Sequence, residues 1–172
     1  MNIKLEELQA ADAEDLYQFE RDNRDYFETM VPSRGEDYYN VETFKTRLES
    51  LLDEQSKGQS YYYLIKNEDG LILGRMNLVD IDRSDHSAHI GYRVGKSYTG
   101  KGIAYRALEL LLETLNKREV NQILAKTTTT NIGSKKVLEK NGFKHIETSD
   151  ETFLMNGKKM TFVYYKWTVA CG

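Results

Sequence analysis

A mixed α/β fold, with one central and mostly antiparallel sheet flanked by helices, follows from three observations on this 172-residue sequence. The hydrophobic period changes from helical to alternating just after Gly58. Asp69-Gly70 then joins two apolar runs in the manner of a hairpin. Between residues 86 and 127 a strand, a glycine-rich turn, a helix and another strand follow in series, a unit that normally pairs its strands in parallel. The elements read in order as β-α-α-β-β-β-α-β-α-β-β without linker or repeat, so residues 1–172 are expected to form a single domain.

Residues 3–8 read as a strand, and 10–23 as a helix with Ala13, Leu16, Tyr17 and Phe19 toward one side. From Asp22 to Asn40 the pattern breaks. This stretch holds the only proline, Pro32, together with Gly35 and the aromatics Tyr26, Phe27, Tyr38 and Tyr39. It suits a loop that touches a ligand, or equally aromatics folded onto the edge of the core. A helix over 41–57 carries Phe44, Leu48, Leu51 and Leu52 at helical spacing and ends near Gly58. Strands over 60–66 and 71–81 meet at the turn Asn67-Glu68-Asp69-Gly70. A third strand, 86–94, alternates with Ala88, Ile90, Tyr92 and Val94 on one face. Ala104, Leu108, Leu111, Leu112 and Leu115 form the buried stripe of the next helix, followed by a strand over 121–127. A short helix over 132–141 stops at Asn141-Gly142, and two final strands meet at Asn156-Gly157.

Composition narrows the function. With 40% hydrophobic and 30% charged residues the chain has the balance of a soluble globular protein. No run approaches the roughly 20 apolar residues of a membrane helix, and the acidic start lacks a signal-peptide core, so a cytoplasmic protein with no membrane partner is expected. A net charge of −3 argues against a nucleic-acid partner. The single cysteine, Cys171, excludes an internal disulfide framework, and no Cys/His spacing suggests a metal.

The most informative stretch runs from Gly91 to Ala104, where a strand passes through a glycine-rich turn into a helix. Glycines at 100 and 102 let the backbone curl so that successive N–H groups and the helix N-terminus converge on one anion. A tight turn without a ligand is the plain alternative. Gly95 to Lys101 spells GxxxxGK, but Gly102 stands where a P-loop needs a Ser or Thr hydroxyl for Mg²⁺. A dinucleotide-binding GxGxxG fails at Tyr105, the third glycine position.

The run Thr99-Gly-Lys-Gly102-Ile-Ala104 resembles the Q/R-x-x-G-x-G/A pyrophosphate loop of GNAT acetyltransferases, with Thr99 departing from the usual Gln or Arg. Some thirty residues on, Asn131-Ile-Gly-Ser134 with Val137 to Phe143 is similar to that family's N-x-x-S…GF segment. Ala88-His-Ile-Gly-Tyr92 resembles the A-E-I-G-Y of the RimJ/RimL branch, which acetylates protein N-terminal amines. The resemblance spans most of the chain and implies the GNAT fold, acetyl-CoA as co-substrate and an amine acceptor. It assigns acetyl-CoA to Tyr92, Arg93 and Val94 on the fourth strand, chiefly through backbone, with a backbone N–H there polarising the thioester carbonyl. It further assigns Thr99, Gly100, Lys101, Gly102, Ile103 and Ala104 in the turn, and Asn131, Ser134 and Lys136 at the later helix.

Acetyl transfer needs a neutral amine and a proton for the departing thiolate. Many members of the family use a tyrosine in the last helix as the acid, but Leu138 stands at that position here; the resemblance to the RimL-type pattern, which uses a serine four residues earlier, implies Ser134 as the candidate. His89, at the place of the glutamate in A-E-I-G-Y, and Glu151, which resembles the glutamate that the RimL-like pattern carries shortly before a Y-L-N-G turn in standing ahead of Phe153-Leu-Met-Asn-Gly157, are the candidate bases. Asp25, Glu28 and Tyr26, in the acidic and aromatic loop where the family admits its amine, are the candidate acceptor contacts and are expected to favour a cationic amine. The expected acceptor is a protein N-terminal amine of the ribosomal-protein-alanine type. A small amine (polyamine, amino acid or antibiotic) and a catalytically silent acetyl-CoA-binding module are the alternatives. The aromatic tail strands are compatible with a homodimer.

Overall fold

The computed structural model describes residues 2–30, 33–155 and 157–169, with residues 116 and 117 described in backbone only. Pro32, Asn156 and Cys171, singled out above, lie outside the described residues. Strand β1 (Ile3–Glu7) leads through a 3-10 turn (Ala10–Asp12) into α1 (Ala13–Asp22). The segment read as a loop contains a single-turn helix, α2 (Arg24–Phe27), and a 3-10 turn (Glu36–Tyr39). Helix α3 (Val41–Ser56) starts at Asn40, whose side chain accepts from the N–H groups of Glu42 and Thr43 at 3.0 and 3.2 Å. Strands β2 (Tyr61–Asn67), β3 (Ile72–Asp82) and β4 (Ser87–Val94) follow. The first hairpin closes where the Gly70 N–H donates to the Asn67 carbonyl at 3.1 Å. Helix α4 (Ile103–Thr114), strand β5 (Gln122–Thr128), helix α5 (Ile132–Lys140) and strands β6 (Lys144–Met155) and β7 (Lys158–Thr168) complete the chain.

The strands form one seven-stranded sheet in the order β1-β2-β3-β4-β5-β7-β6. Every neighbouring pair is antiparallel except β4 and β5, as the crossover through α4 demands. Alternation along the strands divides the core between the two faces. Tyr63 and Ile65 of β2 and Met76 and Leu78 of β3 pack with Leu108 and Leu111 of α4 and Leu138 of α5. Tyr62 and Leu64 of β2 pack on the other face with Leu16 and Phe19 of α1 and Phe44 and Leu48 of α3. The sheet is thus covered on both sides.

One interruption positions everything that follows. β4 and β5 pair only from Ser87↔Gln122 to Ile90↔Ala125. Beyond Ile90, β4 continues to pair with β3 as far as Gly74↔Val94, while β5 continues with β7 as far as Thr128↔Phe162. The two central strands therefore part company, and a cleft opens through the sheet between residues 91–94 and 126–128.

Candidate active site

Two cavities meet at this cleft. One, of about 390 Å³, lies under the glycine turn and is lined by Tyr98 to Gly100, Gly102 to Tyr105 and the α5 residues Lys136, Val137 and Lys140. The other, of about 490 Å³, passes between β4 and β5 and is lined by Arg75, Asn77, Gly91, Lys126, Phe153 and Phe162 among others. Met30, Tyr92, Arg93, Asn131 and Ser134 line both and mark the junction.

The smaller cavity fits a diphosphate. Gly100 and Gly102 take φ of +74° and +76°, a left-handed conformation that disfavours other residues, and a Cβ on either would meet nothing within 4 Å. The turn thus presents bare backbone to open space. The first-turn N–H groups of Ile103, Ala104 and Tyr105 take part in none of the described hydrogen bonds, and the N-cap Gly102 offers no side chain to occupy them. These free donors, the positive end of the α4 dipole and the ammonium groups of Lys136 and Lys140 all favour an anion. No carboxylate is found among the described residues lining this cavity. Thr99 also lines it, but its hydroxyl donates to the Lys96 carbonyl at 3.0 Å and so fastens the turn. Asn23 anchors the start of the turn by accepting from the Lys96 N–H at 2.9 Å.

At the junction, helix α5 begins at Asn131, whose Oδ1 accepts from the Ser134 N–H at 3.1 Å and fixes that residue in place. The Ser134 Oγ then lies 3.2 Å from the Tyr92 phenol oxygen, which also reaches the Ser134 carbonyl at 3.4 Å. Burial pushes the Tyr92 phenol up to about 12, against a smaller opposing effect of its bond to Ser134, so it stays protonated at neutral pH. Leu138, one turn further along α5, is buried and lines the larger cavity.

The α1 face of the larger cavity is cationic. Glu20 is fully buried, and its Oε1 accepts from Arg75 Nη1 at 2.6 Å. Arg34 Nη1 stands 3.9 Å from the same oxygen, and Arg93 Nη1 3.6 Å from Oε2. Arg93 also lies over the Phe27 ring, 4.8 Å from its centroid. On the opposite wall Lys126 sits over Phe162, which stacks on Phe153 at 4.5 Å.

Of the residues singled out by sequence, the fold gathers Tyr92, Arg93, Val94, Thr99, Gly100, Gly102, Ile103, Ala104, Asn131, Ser134, Lys136 and Tyr26 around the two cavities. Lys101 stands exposed at the outside of the turn and lines neither. His89 is exposed on the paired part of β4, before the strands part, and Glu151 is exposed where β6 slips register against β7; neither lines a cavity. The acidic acceptor wall is not met either. Asp25 is exposed on α2, and Glu28 is engaged by Arg24 Nε at 3.2 Å and the Ser33 hydroxyl at 2.9 Å. Glu28 thus holds the loop together, whereas the lining itself is basic. Sequence reasoning missed Arg75, Asn77, Lys126, Lys140 and the Tyr92 phenol. A signal existed for the first: Arg75 interrupts the apolar run Ile72 to Val79, and Glu20 falls on the same helical stripe as Leu16 and Phe19.

Comparison with known proteins accords with this geometry. The acetyltransferase (GNAT) domain family matches residues 2–144. The probable N-acetyltransferase YjcK of Bacillus subtilis (strain 168) is 30% identical over 158 residues, covering 90% of this chain and 87% of that protein. The crystal structure of the ribosomal-protein-S5-alanine acetyltransferase of Vibrio fischeri superposes with a TM-score of 0.89 at 23% identity, covering 98% of this chain and 93% of that one. RimL, a ribosomal L7/L12 alpha-N-protein acetyltransferase solved with coenzyme A, superposes with a TM-score of 0.87 at 18% identity, covering 98% and 95%. A glycine turn over a cavity that opens onto a split sheet, in a chain matched by this family over most of its length, makes the protein a member of the GNAT family and an acetyl-CoA-dependent N-acetyltransferase.

Proposed function

We infer that this enzyme acetylates the α-amino group at the N-terminus of a protein or peptide. The observation that carries the reading is the lining of the cleft: no carboxylate or histidine is found among the described residues that line either cavity. Without a side-chain base, the acceptor has to supply its own neutral amine. An α-amine with a pKa of about 7.7–8.0 is roughly one-third neutral at pH 7.5, whereas a lysine-type amine near 10.4 is neutral in only about one molecule per thousand. Arg75, Arg93 and Lys126 along the larger cavity further disfavour a polycation such as a polyamine. Proteins of the same fold that are named for acetylating ribosomal-protein N-termini support this choice.

Acetyl-CoA supplies the acetyl group as a thioester, and the remaining tasks fall to this chain. The Gly100–Gly102 turn, the α4 N-terminus, Lys136 and Lys140 hold the diphosphate. The β4 edge from Gly91 to Val94, released from β5, offers backbone groups to an extended arm. Tyr92 Oη, joined to Ser134 Oγ, holds a proton at the junction where the amine and the thioester meet. The departing thiolate arises in the same buried surroundings, which raise its own proton affinity. Ser134, proposed from sequence as the acid, becomes the partner that orients and relays for Tyr92.

The test is CoA release from acetyl-CoA with three acceptors at pH 7.5: a peptide with a free N-terminus, the same peptide Nα-blocked but carrying a lysine, and spermine. The reading predicts turnover with the first, and turnover on the other two at least about a hundredfold slower. Faster turnover of spermine or of the blocked peptide would move the enzyme to the small-amine or lysine class.

A further inference from the structure

Behind the lining of the proposed acceptor cavity, and not part of it, one buried carboxylate faces three guanidinium groups. Glu20, fully buried, is shared by Arg75 at 2.6 Å, Arg93 at 3.6 Å and Arg34 at 3.9 Å. The cluster therefore carries an excess of two positive charges, and Lys126 adds a third cation to the cavity lining. Arg75 is 5% exposed and lines the cavity, yet its Nε has no hydrogen-bond partner, nor has the buried Oδ1 of Asn77 two residues along β3. A guanidinium withdrawn from water with a donor unused is costly unless a ligand completes it. The more accessible Arg93 guanidinium, which lines both cavities, can take a carboxylate through short, charge-assisted and often bidentate bonds.

We propose that the acceptor carries a carboxylate close to its reactive amine, read by Arg93 and Arg75 on the α1 side of the cleft. This rests on the α-amine reading above and deepens it. The chemistry is shared by a peptide whose second residue is Asp or Glu and by a free amino acid, and the two sources are separable by experiment. It reverses the preference for a cationic acceptor that the acids of the 22–40 segment suggest.

The probes are two peptide pools with free N-termini, each mixing Ala, Ser, Thr and Gly at position one, with Glu at position two in one pool and Gln in the other. Alanine and alaninamide form a second pair. Binding to the protein in the presence of CoA is measured by calorimetry, and acetylation by CoA release. The expected result is a preference of at least about tenfold for the Glu pool in affinity and in turnover, or, if the source is a free amino acid, for alanine over alaninamide in affinity, since the more basic amine of alanine lowers its turnover independently. Arg93→Gln should bring that ratio to near one, and Arg93→Lys should retain most of it. Arg75 and Arg34 remain to pair Glu20, so the Arg93 variants keep their fold, which circular dichroism checks. Equal acetylation of the Glu and Gln pools, with alanine no better than alaninamide, overturns the carboxylate while leaving N-terminal acetylation intact. A ratio unchanged in Arg93→Gln removes Arg93 as its reader. Failure of every probe to bind or react overturns both readings.

Discussion

Replacing Tyr92 by Phe removes one oxygen from the junction of the two cavities and leaves the ring in its packing place. The lost hydrogen bond to Ser134 spans 3.2 Å and is of the ordinary neutral kind, worth about 1 kcal/mol of stability, so the variant should fold. The chemical consequence is larger. A positioned general acid contributes about 10²–10⁴ in rate, and with the Ser134 hydroxyl still present the lower end applies, a fall in kcat of about a hundredfold, or about 2.7 kcal/mol. The glycine turn is untouched, so the KM for acetyl-CoA should stay within about threefold. Steady-state CoA release with a saturating N-terminal peptide measures both constants. Because Tyr92 and Ser134 act as one pair, Ser134→Ala should cost less than Tyr92→Phe, and the double variant little more than Tyr92→Phe alone. The same phenol also leaves a thermodynamic trace. Its folded value is raised from 10 to about 12, so the folded state retains a proton that the unfolded chain loses, and stability present in full below pH 10 declines as pH rises through 12. Tyr62, also raised to about 12 by burial and by Glu54, adds to this decline. Denaturant melts from pH 9 to 12 should show a shallower loss in Tyr92→Phe. An unchanged kcat in Tyr92→Phe would refute the acid assignment whatever the melts show.

Other consequences are separable from that one. Lys136→Ala combined with Lys140→Ala removes both ammonium groups from the cavity under the glycine turn, and should weaken CoA binding by about ten- to a hundredfold while flattening its salt dependence, read by calorimetry at two ionic strengths. Glu20→Gln leaves Arg75 buried without its counter-charge, and should cost about 3–5 kcal/mol in urea unfolding, more than any single surface change. His89→Gln and Glu151→Gln, which alter exposed side chains outside both cavities, should keep kcat within about threefold, and a loss beyond tenfold in either would restore it as a base.

Features set by local chemistry were legible in the sequence. The β2–β3 hairpin follows from Asn67 and Gly70, and the ends of α5 from Asn131 and Gly142, because each turn or cap is satisfied by residues within a few positions. The glycine turn was legible for the same reason, since positive φ at residues 100 and 102 leaves little choice of residue. Helix α2 was not legible, because one turn has too few residues to display a period. What joins distant segments was also hidden. Glu20 and Arg75 stand 55 positions apart, and Tyr92 and Ser134 stand 42 apart. Only the sheet order brings them together. The cleft itself has no sequence signature, because the alternation Ala88, Ile90, Tyr92, Val94 runs on unbroken although the β4–β5 ladder ends at Ile90. Charge counting misled at residues 25 and 28 for a related reason: Glu28 is spent on Arg24 and Ser33 inside its own loop.

The most direct test of the account follows the acetyl group itself. A peptide carrying both a free N-terminal amine and an internal lysine is incubated with the enzyme and acetyl-CoA at pH 7.5, and the modified position is located by tandem mass spectrometry. The account predicts acetylation at the N-terminal nitrogen with the lysine left free. Acetylation of the lysine, or of neither amine, would contradict it.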